Sequence, residues 1–423
     1  MKGYSAVFTK IFLLSVVFTF TFFCLGACRT IGYDAEEATV VRHVVIECGN
    51  DVFLSKSYEQ NPQINSYLSN EFDLSDVYYE YVNNDIEPYT VLDYMYEGLG
   101  ADVKNLTDSL YIPATDAKAH FHPMQPDKFT YENESNGREV DKAALFADFV
   151  KSLRDKDSKI EISFIELKPS VTRKQLESKT RLIGEFSTSF KTSGASRSTN
   201  ISLAAKAING TILDTGCVFS FNEIVGERSA ERGYKEANII KDGVYVKGVG
   251  GGVCQVSTTL YNAVLRAGLT VTTVNRHTLA ASYVPPSADA MVSTSSDLKF
   301  INDTGDKIYI ETSVKDKILT VSVYGYKEDG VKYKVDSRIL KVIKPPAPEV
   351  INSSEMYAGE ETTLVKAHYG YISEAYLLKY KDGKLVERKR IRSDTYNASA
   401  GVIKRGTKQK TFENDDGISV YFD

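Results

Sequence analysis

The sequence predicts a multidomain α+β protein. Two segments carry apolar residues at helical spacing: Val140–Leu153 and the stretch that follows Cys254. Several other segments alternate apolar and polar residues as half-buried strands do, and a proline-rich stretch at 344–348 precedes a strand-rich end. A length of 423 residues is enough for two to four domains with their own cores.

The first element is a leader, residues 1–28. Lys2 and Lys10 precede an apolar run that is short for a membrane-spanning helix and typical of the centre of a secretory signal. Small residues then lead to Cys28, a pattern that resembles a bacterial lipobox and makes Cys28 the lipidated first residue of the mature protein. The alternative is an uncleaved N-terminal anchor. Both readings predict an extracytoplasmic protein tethered to a membrane.

Residues 29–184 are predicted to form an α+β domain. The apolar positions of Val140–Leu153 recur every three or four residues, which predicts a helix. Ile160–Leu167 alternates apolar with polar residues over most of its length, which predicts a half-buried strand, and Pro169 ends it.

Residues 185–326 are predicted to form a mixed domain with a cysteine at a helix N-terminus. Gly250–Gly252 allow the backbone to turn tightly just before Cys254. The following segment has helical periodicity, with Ser257 as a plausible cap and Gly268 as a plausible stop. Two alternating stretches, Ile308–Thr312 and Leu319–Val323, then predict a hairpin.

The end of the chain is predicted to be a small all-β module. Residues 327–349 are expected to form a strand end and a proline-rich linker, 350–412 the module itself, and 413–423 a tail. Lys381–Lys384 contains an Asp-Gly pair and predicts a tight hairpin turn.

The net charge and the cysteine content reduce the number of functions that the sequence allows. The net charge is -5, so the chain has no basic excess and nucleic acid is not a predicted partner. Cys24 and Cys28 lie in the leader, which leaves Cys48, Cys217 and Cys254, an odd number. A Cys217–Cys254 disulfide would be the structural alternative to a reactive thiol. No metal and no cofactor are predicted, because the cysteines lack zinc-site spacing.

Cys254 is the candidate nucleophile. A thiol at a helix N-terminus meets the positive end of the helix dipole, which favours the reactive thiolate. A cysteine nucleophile needs a base, and the chain has only five histidines. His277 lies in the same predicted domain as Cys254, which makes it the candidate base, while His120 and His122 alternate on one strand face and offer only two ligands for a metal.

Several motifs of this region resemble the VanW family. They are Phe186–Thr188, Arg197–Asn200, Phe219–Asn222, Gly233–Tyr234, Gly250–Asn262 and Tyr283–Pro285, followed by Asp289 and Ala290. Residues 113–117 and parts of 137–172 resemble the peptidoglycan-binding domain that often precedes VanW, and the C-terminal module resembles five-glycine (G5) adhesion domains. Together the resemblances imply a protein of the Gram-positive cell wall.

The VanW resemblance implies an L,D-transpeptidase that cross-links peptidoglycan stem peptides. In that reading Cys254 attacks the third stem residue, D-alanine leaves, His277 moves the proton and Asp289 orients His277. The remaining predicted roles are oxyanion stabilisation by the backbone of Gly251, Gly252 and Val253, and substrate contacts from Gln255, Ser257, Arg276 and Tyr283. Arg276 and Asp289 equally well predict a structural ion pair with each other.

Other functions stay open on the sequence. Water in place of the acceptor amine would give an L,D-carboxypeptidase, and a cysteine peptidase of wall peptides would use the same nucleophile. A non-catalytic, membrane-tethered scaffold that binds peptidoglycan and interferes with glycopeptides needs no reactive thiol. Two departures from the family pattern affect the site: Cys217 is unusual, and Ser287 stands where glycine is typical.

Overall fold

A computed structural model describes residues 41–61, 88–155, 159–241, 244–409, 412–413 and 419–420. The leader, with the predicted lipidation residue Cys28, lies outside these residues. Within the described part, no helix combines the length and apolar character needed to cross a membrane.

The described helices and strands are numbered in chain order. The helices are α1 (Pro88–Met95), α2 (Leu99–Leu110), α3 (Lys142–Asp155), α4 (Arg173–Lys179), α5 (Ala195–Ile208), α6 (Phe221–Val225) and α7 (Val253–Ala267). The strands are β1 (Val41–Cys48), β2 (Asp51–Glu59), β3 (Lys118–Phe121), β4 (Phe129–Glu132), β5 (Gly137–Val140), β6 (Lys159–Glu161), β7 (Phe164–Leu167), β8 (Arg181–Ser189), β9 (Thr211–Leu213), β10 (Val218–Ser220), β11 (Glu236–Lys241), β12 (Val244–Val249), β13 (Thr270–Thr273), β14 (Lys299–Ile301), β15 (Ile308–Lys315), β16 (Ile318–Gly325), β17 (Val331–Ile343), β18 (Glu349–Tyr357), β19 (Glu361–Val365), β20 (Gly370–Lys381), β21 (Lys384–Tyr396), β22 (Val402–Lys408), β23 (Phe412–Glu413) and β24 (Ser419–Val420).

The chain divides into two compact units, and the first comprises residues 1–113 with 138–166. Its sheet has the order β2-β1-β6, with β1 antiparallel to β2 and parallel to β6. Ile46, Tyr96, Leu99, Phe149 and Ile160 lie in its core, almost fully buried. Burying one such side chain stabilises the fold by roughly 1.5–3 kcal/mol.

The sequence patterns of this unit locate its elements well. The predicted helix Val140–Leu153 is α3, shifted by two residues. The predicted strand at Ile160–Leu167 is interrupted: β6 and β7 flank Ile162, which is buried and donates its backbone N–H to Glu47. Alternation alone does not show such a break.

The second unit, residues 114–137 with 167–423, contains an antiparallel sheet in the order β8-β16-β15-β9. The predicted hairpin is present as β15 and β16. Its two-residue turn, Asp316-Lys317, has positive φ at both positions (53° and 56°), the backbone of a type I′ turn that matches strand twist.

Helix α7 is the centre of the second unit. It packs against β8, β16, β17 and α5, and all but two of its residues are buried. Ile201, Phe221, Val256, Leu260 and Val264 belong to the surrounding core. The polar side chains that this enclosed position buries are satisfied by hydrogen bonds to neighbouring segments.

Strand β17 opens the C-terminal module, which is all β. One sheet has the order β17-β20-β21 and a second has the order β18-β22-β19. Of residues 327–349, predicted as a strand end and a proline-rich linker, 331–343 form β17, whose backbone pairs with β20 along its length. The proline-rich residues 344–348 connect β17 to β18. The predicted turn is present at Asp382-Gly383, where φ is 49° and 79°.

The predicted boundary at residue 184 does not coincide with the division between compact units, since 114–137 and 167–184 belong to the second. The β3–β4 hairpin explains part of this difference. Phe121 of β3 lies 5.3 Å from the ring of Tyr309, and Lys128 pairs with the buried Glu311 at 2.5 Å. The other predicted domain limits stay predictions.

Candidate active site

The glycine segment before α7 is held in a conformation that only glycine accepts easily. Gly250 has φ of +86° and Gly252, the N-cap of α7, has φ of +113°. A Cβ on Gly252 would lie 2.9 Å from Arg197 Cγ, and one on Gly251 would lie 2.7 Å from Asn238 O. The buried Asn200 side chain fixes this turn by donating to Lys235 O and Gly251 O. The glycines therefore let the backbone pass between α5 and β11.

Cys254 is the second residue of α7, so the helix dipole acts directly on its thiol. Its Sγ donates a hydrogen bond to Val292 O at 3.3 Å. Cys48, Cys217 and Cys254 are all free thiols, and Cys217 is exposed. The Cys217–Cys254 disulfide considered as an alternative is therefore absent from the structure.

His277 and Asp289 lie beside Cys254 in the order that a nucleophile, a base and an orienting carboxylate require. His277 Nδ1 is 2.6 Å from Asp289 Oδ2, and the backbone N–H of His277 donates to the same oxygen at 2.7 Å. The imidazole of His277 also interacts with the Cys254 side chain, so the base lies next to the thiol. His277 and Asp289 are both buried, so these contacts are shielded from water.

The electrostatics of the site favour an ion pair between Cys254 and His277. Burial by itself would raise the pKa of the Cys254 thiol, but the hydrogen bond and positive charge of His277 outweigh it and lower that pKa below 9. Burial disfavours the imidazolium, yet the bonds to Asp289 and Cys254 raise the pKa of His277 to about 9. Burial also opposes ionisation of Asp289, and His277 overcomes it, so the pKa of Asp289 is lowered.

Two residues of the C-terminal module, which the sequence did not single out, bind Asp289. Tyr396 Oη donates to Asp289 Oδ1 at 2.5 Å, and Arg392 pairs with the same oxygen at 3.6 Å. Arg392 also donates to the Asp289 carbonyl. More than one hundred residues separate these partners along the chain, and no local motif marks the contact.

Cys254 opens onto a cleft of about 1070 Å³. His277, Tyr283 and the glycine segment line it near the thiol, and the β11–β12 hairpin lines it further out. Arg197, Arg228 and Lys247 bring positive charge to the cleft, and Glu227 and Glu236 bring negative charge. A cleft with both charges suits a substrate that carries carboxylates and amines.

Several predicted substrate contacts are structural instead. Gln255 lies at the cleft but is almost fully buried, and its amide donates to Thr188 Oγ1 and Ser189 O. Ser257 is fully buried and donates to Ala290 O at 2.7 Å, so it neither reaches a ligand nor caps the helix, which begins at Val253.

Arg276 is also placed differently from its predicted role. Its guanidinium donates to His277 O at 3.0 Å and lies 5.8 Å from the centre of the Tyr396 ring. The arginine that pairs with Asp289 is Arg392, so the alternative Arg276–Asp289 ion pair is also wrong.

Of the backbone N–H groups predicted to stabilise the oxyanion, some already have a hydrogen-bond partner and others do not. The Val253 N–H donates to Gly250 O at 3.1 Å and is therefore occupied. Cys254 N–H lies one residue further, among the first N–H groups of α7, which have no partner within the helix. Among the residues that the structure describes, no side chain caps this end. The Cys254 and Gly252 amides are the better candidates.

Tyr283 lies at the cleft, half-buried beside the thiol. Burial first, and the negative charge of the Cys254 thiolate second, raise the pKa of its hydroxyl. Tyr283 therefore stays a neutral donor and acceptor at the cleft wall.

The two predicted metal-binding candidates, His120 and His122, are engaged on the β3–β4 hairpin with Glu132 and Thr130. No cluster of three metal-binding side chains occurs among the described residues.

Comparison with known proteins identifies two domains. Residues 196–324 match the family model described as "VanW like protein", and residues 334–408 match the G5 domain. These matches confirm the predicted resemblances to VanW and to G5 domains. The G5 match includes most of β17, in agreement with the sheet of the C-terminal module.

Two curated relatives match the chain. It is 39% identical over 202 residues to "Uncharacterized protein YoaR" of Bacillus subtilis, which covers 47% of this chain and 65% of that protein. It is 28% identical over 151 residues to "Vancomycin B-type resistance protein VanW" of Enterococcus faecalis, which covers 34% of this chain and 55% of that protein. The chain thus spans less than two thirds of either relative.

Two solved structures that match part of the chain are G5 domains. The G5 domain of an IgA1 protease aligns over 19% of this chain and 92% of its own length, with 16% identity and a TM-score of 0.14. The G5 domain of HP0197 aligns over 18% and 99%, with 14% identity and a TM-score of 0.11.

Proposed function

Because the chain carries a VanW domain followed by a G5 domain, we propose that it is a cell-wall enzyme that cross-links peptidoglycan stem peptides by L,D-transpeptidation. The observation that carries the proposal is the buried contact of Cys254, His277 and Asp289 at the floor of an open cleft. The relative named for vancomycin B-type resistance supports a role in the cell wall.

The first half-reaction transfers an acyl group to Cys254. The thiolate attacks the carbonyl carbon of the third stem residue, and the amide bond to the terminal D-alanine breaks. His277, held protonated by Asp289, gives its proton to the leaving amine. The product is a thioester on Cys254 and free D-alanine.

The second half-reaction releases the acyl group to an amine. The side-chain amine of a diamino acid on a neighbouring stem attacks the thioester carbonyl and passes a proton to the now neutral His277. Cys254 leaves as the thiolate, and the original ion pair is restored. If water attacks instead, the same thioester gives a tripeptide, and the enzyme is an L,D-carboxypeptidase.

Arg228 is the residue we assign to the terminal carboxylate of the donor, in place of Arg276. It lines the cleft close enough to Cys254 for its charge to lower the pKa of the thiol. Bonds to Asn222 Oδ1 and Gly226 O, at 3.0 and 3.2 Å, hold the guanidinium in place. Arginine has five N–H donors, so donors remain for a carboxylate.

Backbone amides complete the proposed site. The Cys254 and Gly252 N–H groups at the start of α7 would meet the negative charge that develops on the attacked carbonyl oxygen. Loss of one such donor typically slows a reaction of this kind by about 100- to 1000-fold.

The reaction is tested by mass spectrometry of products from the full chain and disaccharide-tetrapeptide. We expect dimers linked between third residues, with release of D-alanine. Cys254→Ala should abolish both, whereas Cys217→Ala, which removes another free thiol, should leave them unchanged. Tripeptide without dimers would show a carboxypeptidase. Equal products from Cys254→Ala and the unchanged protein would refute the proposal, and no products at all under reducing conditions would favour the scaffold.

For location, we propose an extracytoplasmic protein tethered to the membrane through Cys28. The support is the sequence pattern of the predicted leader together with the likeness to a relative named for vancomycin resistance. Radiolabelled palmitate should enter the protein and the Cys24→Ala variant but not Cys28→Ala. Equal labelling of Cys28→Ala would contradict lipidation at that residue. The N-terminal domain as a peptidoglycan-binding domain is likewise a proposal.

A further inference from the structure

Strand β21 of the C-terminal module reaches the same carboxylate that orients His277. Tyr396 Oη donates to Asp289 Oδ1, and Arg392 contacts both that oxygen and the Asp289 carbonyl. Tyr396 is fully buried, and the Arg392 side chain is 7% exposed. These contacts are as shielded as those of His277.

The two carboxylate oxygens of Asp289 contact different partners. Oδ2 accepts from the backbone and the ring of His277, at 2.7 and 2.6 Å. Oδ1 faces Tyr396 and Arg392. A carboxylate held at both oxygens cannot rotate without breaking charge-assisted hydrogen bonds. The residues on Oδ1 therefore set the direction in which Oδ2 meets His277.

The loop that carries Asp289 is fixed by the same module. Ser287 has φ of +64°, a left-handed conformation that is unfavourable for a serine. Its backbone N–H donates to Tyr396 Oη at 2.7 Å, and its hydroxyl bonds to Ser373 of β20 at 2.8 Å. Asn397, just after β21, donates to Thr278 O beside His277. The module thus compensates the strain at Ser287 and holds both segments of the site.

We propose that Tyr396 and Arg392 are positioning residues for the Cys254–His277 pair, so that the C-terminal module is an integral part of the active centre. The inference concerns the site of the proposed function and rests on Cys254 being its reactive thiol. Without Tyr396 or Arg392, Asp289 is free to turn away, and His277 loses the partner that keeps it charged. The Cys254 thiolate is then less stabilised.

The test is the pH dependence of Cys254 alkylation by iodoacetamide in the full chain, located by peptide mass spectrometry. Tyr396→Phe keeps the ring and removes the hydroxyl, and Arg392→Gln removes the charge. Both should shift the midpoint of alkylation to higher pH, by up to about one unit, equal to a tenfold change in the thiolate equilibrium. Asp289→Asn sets the direction and the upper limit of the shift.

Matched controls come from the same sheet. Tyr376→Phe and Arg390→Gln remove groups that contact Glu374 and not Asp289, so the wild-type midpoint should be kept. Circular dichroism and thermal unfolding show whether each variant is folded. Arg392→Lys, which keeps the charge, should bring the midpoint part of the way back to the wild-type value. A midpoint in folded Tyr396→Phe and Arg392→Gln that is unchanged or lower would overturn the proposal.

Alkylation does not require turnover, which separates this inference from the proposed reaction. A shifted midpoint in a protein that makes no cross-links would support the positioning role and refute the transpeptidase. An unshifted midpoint in an active enzyme would refute the positioning role alone.

Discussion

The protonation of the Cys254 thiol depends on effects that oppose each other. Burial opposes the thiolate, and the imidazolium of His277, itself stabilised by Asp289, favours it. The helix N-terminus acts in the same direction as His277. Because the pKa of the thiol is lowered and that of His277 is raised to about 9, both shifts favour the thiolate–imidazolium ion pair over the neutral pair.

This ion pair predicts a bell-shaped pH profile for cross-linking. On the acid side, activity falls as the thiolate gains a proton, below the ordinary thiol pKa of 9.0. On the alkaline side, activity falls near pH 9, because His277 loses the proton that the leaving amine requires. Initial rates measured across pH check this. A rate that keeps rising beyond pH 10 or so would contradict the role of His277 as the acid.

At the level of elements, the sequence predicted those parts of the site whose signal is local. The glycine run, the following helix and its stop at Gly268 are close in the chain, and α7 ends there with φ of +87°. The β15–β16 hairpin and the turn at Asp382-Gly383 are equally local. Each is decided by neighbouring residues, through periodicity or by a position that requires positive φ.

The sequence could not predict which polar side chains make their hydrogen bonds inside the protein and are therefore unavailable to a substrate. Gln255 and Ser257 follow Cys254 directly, yet helical geometry turns both toward buried partners. The roles of Arg392 and Tyr396 depend on β21 reaching a loop more than one hundred residues earlier. Such contacts follow from tertiary packing, and one sequence carries no periodic or spacing signal for them.

The geometry of the turn before α7 predicts that adding a side chain at Gly252 destabilises the protein. Gly252→Ala should lower the free energy of unfolding, because φ of +113° disfavours any L-residue and the new Cβ meets Arg197 at 2.9 Å. The backbone part alone costs about 1–2 kcal/mol. Thermal unfolding measures the loss, and alkylation of Cys254 should slow as the helix start moves.

Gly216→Ala is the matched control for that prediction. Gly216 also has positive φ (+76°), but a Cβ there meets no atom within 4 Å. It should show only the backbone cost and leave Cys254 alkylation unchanged. Equal effects of the two substitutions would mean that the close approach at Gly252 is unimportant.

At the scale of the whole molecule, the match to VanW over residues 196–324 is followed along the chain by the match to the G5 domain over residues 334–408. The VanW and G5 parts belong to one compact unit and share buried contacts at Asp289. The module is therefore part of the surroundings of the proposed active site through Tyr396 and Arg392.

The central claim is that Cys254 becomes acylated by a stem peptide. The direct measurement is the intact mass of the full chain mixed with disaccharide-tetrapeptide whose side-chain amine is acetylated, so that no acceptor amine is present, followed by peptide mapping. We expect a covalent adduct on Cys254 that equals the acetylated disaccharide-tripeptide acyl group, with D-alanine lost and Cys217 unmodified. An adduct that forms equally in Cys254→Ala, or cross-linking that proceeds in that variant, would contradict the claim.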